Sequence, residues 1–257
     1  MRYLLMVLVA VGFLSARVAD EAPRVWFDRL GYAYVLRDDA LEKFSKEGDL
    51  LFSASFNVEG APTEMDVTNP LMPLLFYRNT GQLLVLDNTL SKQHGGYDLF
   101  AQTGRNVEAV CNGTNGQFWL FDAARFELVR VDGQLRELGT TGPLMGVVGN
   151  LQIPDGMRVQ GNHVYLWKRD VGFWVFDQFG TYRYFVPVEG FRGLGFEGEA
   201  LRYHTNDAVY ALDRFAPEDP ILHQAQPAEK VLSVEGRWVA TALGKKWQRV
   251  TLTAGGK

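Results

Sequence analysis

The stretch GFWVFDQFGTYRYF, Gly172 to Phe185, sets four large apolar residues before an aspartate, then a short turn, then a second apolar run. Its first half recurs as GQLLVLD ending at Asp87, GQFWLFD ending at Asp122 and DAVYALD ending at Asp213. Short runs of Val, Leu, Phe, Tyr and Trp bounded by Gly, Asn and Asp read as β-strands, and long helical periodicity is absent. A strand that is apolar at nearly every position is buried on both faces, as a propeller blade is between its two neighbours. The closing aspartate can accept hydrogen bonds from backbone N–H groups two residues on, an Asx turn that reverses the chain. Asp87, Asp122, Asp177 and Asp213 are therefore read as turn formers rather than as a carboxylate cluster.

Outward from that stretch, RVWFD, YAYVL, LEKFS and LLFSASF form a first unit of four strands, and five further units follow. Aligning the turn residue before each second strand gives Gly31, Gly81, Gly116, Gly161, Asn206 and Gly236, a mean period of about 41 residues, the length of a four-stranded blade. The expectation is an all-β chain with a single β-propeller over residues 20–257, of six blades with about four antiparallel strands each. The last unit holds three strands, so RVWFD is expected to pair with it and close the ring, leaving no sheet edge at the seam.

The 257 residues are 47% hydrophobic, enough to bury the core of one large domain. The formal net charge is -4 and the 26 Lys and Arg are scattered, so no nucleic-acid partner is expected. The opening MRYLLMVLVAVGFLSARVADEAP has the layout of a secretory signal peptide: a basic residue, a short apolar run, then small residues. Cleavage after Ala16 or Ala19 is expected, with residues 1–19 as the signal. The run is too short for a permanent anchor, so the mature chain is expected to have no membrane span and to be periplasmic or outer-membrane-associated. Cys111 is the only cysteine, which excludes an internal disulfide, and it reads as a buried small hydrophobe.

His94, His163, His204 and His223 fall in different units without metal-ligand spacing, and read as exposed strand or loop histidines. No GxSxG is present, and the Gly-rich pieces GFRGLGFEGE and GVVGN read as turns. DVTNPLMP is the most unusual local stretch. Asp66 and Asn69 in it are candidate binding residues at the channel mouth, or else turn caps, with Pro70 and Pro73 fixing an extended entry into LLFY. Tyr97 and Phe100, in GGYDLF, are candidate exposed anchors for a partner. Trp119, Trp167, Trp174 and Trp238 are expected to fill space between blades. The expected function is binding or scaffolding rather than catalysis, with no cofactor. The alternative is a Ca²⁺-dependent propeller enzyme of the lactonase or hydrolase kind, recruiting oxygens from Glu64, Asp66, Asn69, Asn150 and Asn206. A carbohydrate-binding propeller is a third possibility, which requires aromatics exposed on one face.

Three pieces, DVTNP (Asp66 to Pro70), LLFY (Leu74 to Tyr77) and VLDNTL (Val85 to Leu90), resemble a family of exported β-propeller-like proteins from the Bacteroidota. The chain is also similar in size and class to the subunit that closes the periplasmic mouth of the type IX secretion barrel. The resemblance implies no catalytic motif. It implies a protein partner in the cell envelope, such as an outer-membrane barrel. The long loops NVEGAPTE and SKQHGGYDLFAQTGRN are outside the matching pieces.

Overall fold

The computed structural model describes residues 22–37, 40–56, 60–213, 216–225, 229–244 and 246–252. The segment expected to be a signal peptide lies outside them. The fold is a six-bladed β-propeller. Blade 1 is β1 (Arg24–Phe27), β2 (Ala33–Arg37), β3 (Ala40–Phe44) and β4 (Leu50–Ser55). Blade 2 is β5 (Glu64–Asp66), β6 (Leu74–Tyr77), β7 (Gln82–Val85) and β8 (Tyr97–Asp98), followed by a short helix, α1 (Leu99–Thr103). Blade 3 is β9 (Val107–Asn112), β10 (Phe118–Asp122), β11 (Glu127–Val131) and β12 (Glu137–Thr140). Blade 4 is β13 (Gly156–Gln160), β14 (His163–Lys168), β15 (Gly172–Asp177) and β16 (Tyr182–Pro187). Blade 5 is β17 (Gly193–Glu197), β18 (Ala200–His204), β19 (Ala208–Asp213) and β20 (Ala216–Ala225). Blade 6 is the three-stranded β21 (Lys230–Glu235), β22 (Trp238–Leu243) and β23 (Lys246–Thr251). Each sheet is antiparallel in simple sequence order, with its first strand innermost.

Every-position hydrophobicity now has its reason. Along β15, Trp174 and Phe176 face the core shared with blade 3, while Phe173 and Val175 face the core shared with blade 5. Likewise β10 sends Trp119 and Phe121 one way and Phe118 and Leu120 the other. Each inter-blade gap thus holds its own buried cluster. Trp119 and Trp174 fill one of them, Trp238 packs at the gap between blades 1 and 6, and Trp167 packs beside blade 5 while reaching the central channel. Cys111 is fully buried, and burial pushes its thiol well above the ordinary range.

The turn aspartates behave as read. Asp177 Oδ1 accepts from Phe179 N at 2.8 Å and Thr181 N at 2.9 Å, and Asp87 Oδ1 from Thr89 N at 2.8 Å and Ser91 N at 2.9 Å. Asp28 and Asp132 repeat this i+2/i+4 pattern, and Ser45 supplies it through its hydroxyl. The fourth residue of each turn has a positive φ: Gly31, Gly48, Leu90, Leu135 and Gly180. Asp122 caps Ala124 N, but its other oxygen joins Glu127 and Glu137 around the Arg105 guanidinium, so it is a member of a carboxylate group after all. The side chain of Asp213 lies outside the described residues.

Two expectations are corrected. Gly81 and Asn206 lie in turns between second and third strands, not between first and second; Gly198 holds the equivalent turn in blade 5. With 198 between 161 and 236, the spacing evens out. The N-terminal strand also does not join the sheet of blade 6: among the described residues β1 pairs with β2 alone. The tight turn at Asp28 registers Phe27 opposite Ala33 and pins β1 to β2, so β1 closes the ring by packing against β21 instead. No helix among the described residues is long and apolar enough to cross a membrane.

Candidate functional site

The innermost strands of blades 1, 2, 4, 5 and 6 line an axial channel of about 790 Å³. Its mouth lies where those strands begin, on the face carrying the connections from each outermost strand to the next blade. Five cations line it (Arg24, Arg158, Arg169, Arg192 and Lys230) against three carboxylates, Glu64, Asp66 and Glu235. An acidic chain therefore has a channel of the opposite sign.

In the channel, Arg158 of β13 reaches Glu235 of β21 with two hydrogen bonds, 2.6 and 2.8 Å, tying blade 4 to blade 6 past the intervening blade 5. Glu235 also accepts from Phe196 N, and the Arg158 guanidinium lies 4.8 Å from the Phe196 ring centre. At the mouth, Glu64 faces Arg169 at 3.4 Å; burial raises its carboxyl above the usual range, against the pull of Arg24, Arg169 and Arg78. Arg24 donates to the carbonyls of Pro62 and Thr63. Arg192 pairs with the exposed Asp170 at 2.7 Å and donates to Asn206 Oδ1 at 3.0 Å.

His204 is the residue that sequence reasoning missed. It is buried, at 4% exposure, not exposed as expected. His204 pairs with Gly193 across β17 and β18, as Trp167 pairs with Gly156 in blade 4, so an imidazole stands where the neighbouring blade has an indole. Its Nδ1 lies 3.0 Å from the Thr205 carbonyl, which accepts only from N–H; the proton therefore sits on Nδ1 and Nε2 is an acceptor. Nε2 has no hydrogen-bond partner among the described residues. Burial, reinforced by Arg169 and Arg192, lowers its pKa to about 4, so the ring is neutral at physiological pH. The signal available in sequence was the shared position with Trp167, which requires the blade register.

Asp66 lines the channel, but its carboxylate is committed: Oδ1 accepts from Thr68 N at 2.8 Å and Oδ2 from Asn112 N at 2.6 Å, joining blade 2 to blade 3. Asn69 caps its own turn through Leu71 N. Tyr97 is half-buried, donating to Gly133 O at 2.8 Å with its ring edge on Phe118. Phe100, on α1, is 66% exposed. Three strand spacings, about 14 Å, separate β5 from β8, so these four residues do not form one site. Of the oxygen donors considered for Ca²⁺, Glu64, Asp66 and Asn206 share the channel, whereas Asn69 lies outside its lining and Asn150 accepts from Trp174 Nε1. Among the described residues no group of three or more His, Cys, Asp or Glu is placed to hold a metal.

Solved structures with this architecture are β-propellers of varied function. A streptogramin B lyase superposes with a TM-score of 0.57 at 11% identity, covering 93% of this chain and 86% of the lyase. The Pan2 WD40 domain of Neurospora crassa gives 0.57 at 9%, covering 92% and 90%. PorZ of Porphyromonas gingivalis, described as an essential bacterial surface component of the type-IX secretion system, gives 0.51 at 11%, covering 91% of this chain and 38% of PorZ. At such identities the likeness is one of fold alone. No protein-family model matches the sequence, and neither does any curated protein.

Proposed function

We propose that the chain is a non-enzymatic binding or scaffolding propeller, exported to the periplasm or the outer-membrane surface, where it serves as an accessory subunit of an envelope machine such as a protein translocon. On this reading it belongs with the exported Bacteroidota propellers, and its partner is a protein, an outer-membrane barrel being the leading candidate. The observation that carries the reading is the connection over residues 141–155, between blades 3 and 4. Leu144, Val148 and Leu151 are buried in the core, while Met145 and Val147 stand 62% and 66% exposed, with Ile153 also exposed. The segment is held from outside as well: Arg78 donates to the carbonyls of Pro154 and Asp155. Phe100, on the preceding inter-blade connection, lies on the same face. Large apolar side chains displayed from an anchored loop pay little ordering entropy on binding and favour a protein partner. The propeller neighbour PorZ, itself a secretion-system component, supports the setting.

The test is affinity isolation from gently solubilised envelopes of a tagged wild-type chain and a Met145→Asp/Val147→Asp variant. Stoichiometric recovery of a barrel by the wild type, reduced at least tenfold for the variant, is the expected result. Recovery of the chain alone, or equal recovery with both, would overturn the reading. Fractionation of the same cells checks the expected location.

A further inference from the structure

The mouth of the axial channel carries features that a docking role for the outer loops does not use. Arg192 N donates to the His204 carbonyl at 2.9 Å, Arg192 Nε bonds Asn206, and Val231 N bonds the Asn206 carbonyl, so Arg192, His204 and Asn206 form one cluster, with Lys230 at the adjoining start of β21 on the same channel. Asp170 N donates to Phe191 O, which brings Arg169 alongside. These cations keep donors to spare. Glu64 meets Arg169 at the long distance of 3.4 Å, Arg192 uses Nε on Asn206 and Nη1 on Asp170 and the Phe191 carbonyl but has no partner at Nη2 among the described residues, and Lys230 has no ion pair among them. Beside them His204 Nε2 borders the space that Gly193 leaves by having no side chain: a methyl group there would stand 2.9 Å from Nε2. Trp26 and Trp167 also line the channel.

Cations alone would suit any anion, sulfate included. A neutral acceptor among them is more selective, because it repels a fully deprotonated anion edge and requires a hydrogen-bond donor. We infer that the channel mouth binds a carboxylate-bearing ligand that also presents an N–H or O–H donor, with Lys230, Arg192 and Arg169 taking the carboxylate and His204 Nε2 accepting from the donor. Two sources share this chemistry: the acidic or C-terminal end of a peptide chain, and a free hydroxy acid. The channel volume accommodates either.

The experiment is equilibrium binding to the full mature chain at low salt. Two probes are used, fluorescein-labelled tetraglutamate with a free C-terminus and, by calorimetry, citrate; amidated tetraglutamine and inorganic sulfate are controls. The expected result is binding of one or both carboxylate probes, at least tenfold tighter than the controls and weakening as salt rises. Tetraglutamate binding assigns the site to a chain end, and citrate binding alone assigns it to a free hydroxy acid. Lys230→Ala, at an exposed position, and Gly193→Ala, which blocks Nε2, are each expected to weaken binding at least fivefold with thermal unfolding of Lys230→Ala unchanged. Absence of binding by both probes, sulfate binding as tight as citrate, or indifference to Lys230→Ala would overturn the inference.

Discussion

His204 shows how one side chain makes stability depend on pH. In the unfolded chain its imidazole titrates near the ordinary 6.5; in the fold, burial holds the value at about 4. The neutral ring is the form the fold accepts, so the stability associated with it is complete above pH 6.5 and is lost as pH falls from there toward 4. A shift of that size corresponds to about 3 kcal/mol over the full window. Urea midpoints measured at pH 7 and pH 5 are expected to fall more for the wild type than for His204→Phe; equal falls would mean that the ring is not buried as described. None of this is legible in the sequence, where "RYHTND" reads as a surface strand end. The composition of a position gives the residue type, but burial of that position depends on how blades 4, 5 and 6 converge.

At the scale of the element, the turn chemistry was the most readable part of the chain. Asp87 and Asp177 announce their hairpins because an Asx carboxylate satisfies two backbone N–H groups whatever the tertiary surroundings. Tertiary context enters where the second carboxylate oxygen goes. In Asp177 it meets Arg183 in solvent, while in Asp122 it is buried against Arg105 with Glu127 beside it. Asp177→Ala is therefore expected to cost about 1 kcal/mol, the loss of a cap. Asp122→Ala is expected to cost more, about 3 kcal/mol, because it also breaks a buried ionic group. Denaturant titration checks both, and equal costs would show that the Arg105 group adds nothing. Blade phase was less legible: Gly81 and Asn206 look like the other turn residues, and only pairing shows that they belong to the next hairpin along. The proposed anchors were separated for a similar reason. Tyr97 and Phe100 are three residues apart, yet one packs on blade 3 and the other faces solvent.

For the whole molecule, fold class followed from local periodicity, whereas the manner of closure did not. Between blades 5 and 6, Val231 N bonds Asn206 O and Gly236 N bonds Phe196 O. Between blades 6 and 1, no backbone hydrogen bond is found among the described residues. The seam is instead a packed cluster of Val25, Phe27, Ala33, Val35 and Ala240, with Trp238 and Trp247 beside it, and Arg249 lies over Phe27 while donating to the Ser45 and Lys46 carbonyls. Because the first described strand, β1, and the last, β23, belong to the two blades that meet here, a load applied through those strands across the seam falls on apolar contacts and the Arg249 guanidinium, with no ladder of hydrogen bonds between the blades to shear. In an optical trap the ring is expected to open first between blades 6 and 1, at a lower force than when the same molecule is held through handles within blades 3 and 5. Equal forces from both geometries would mean that the seam is as strong as the rest of the ring.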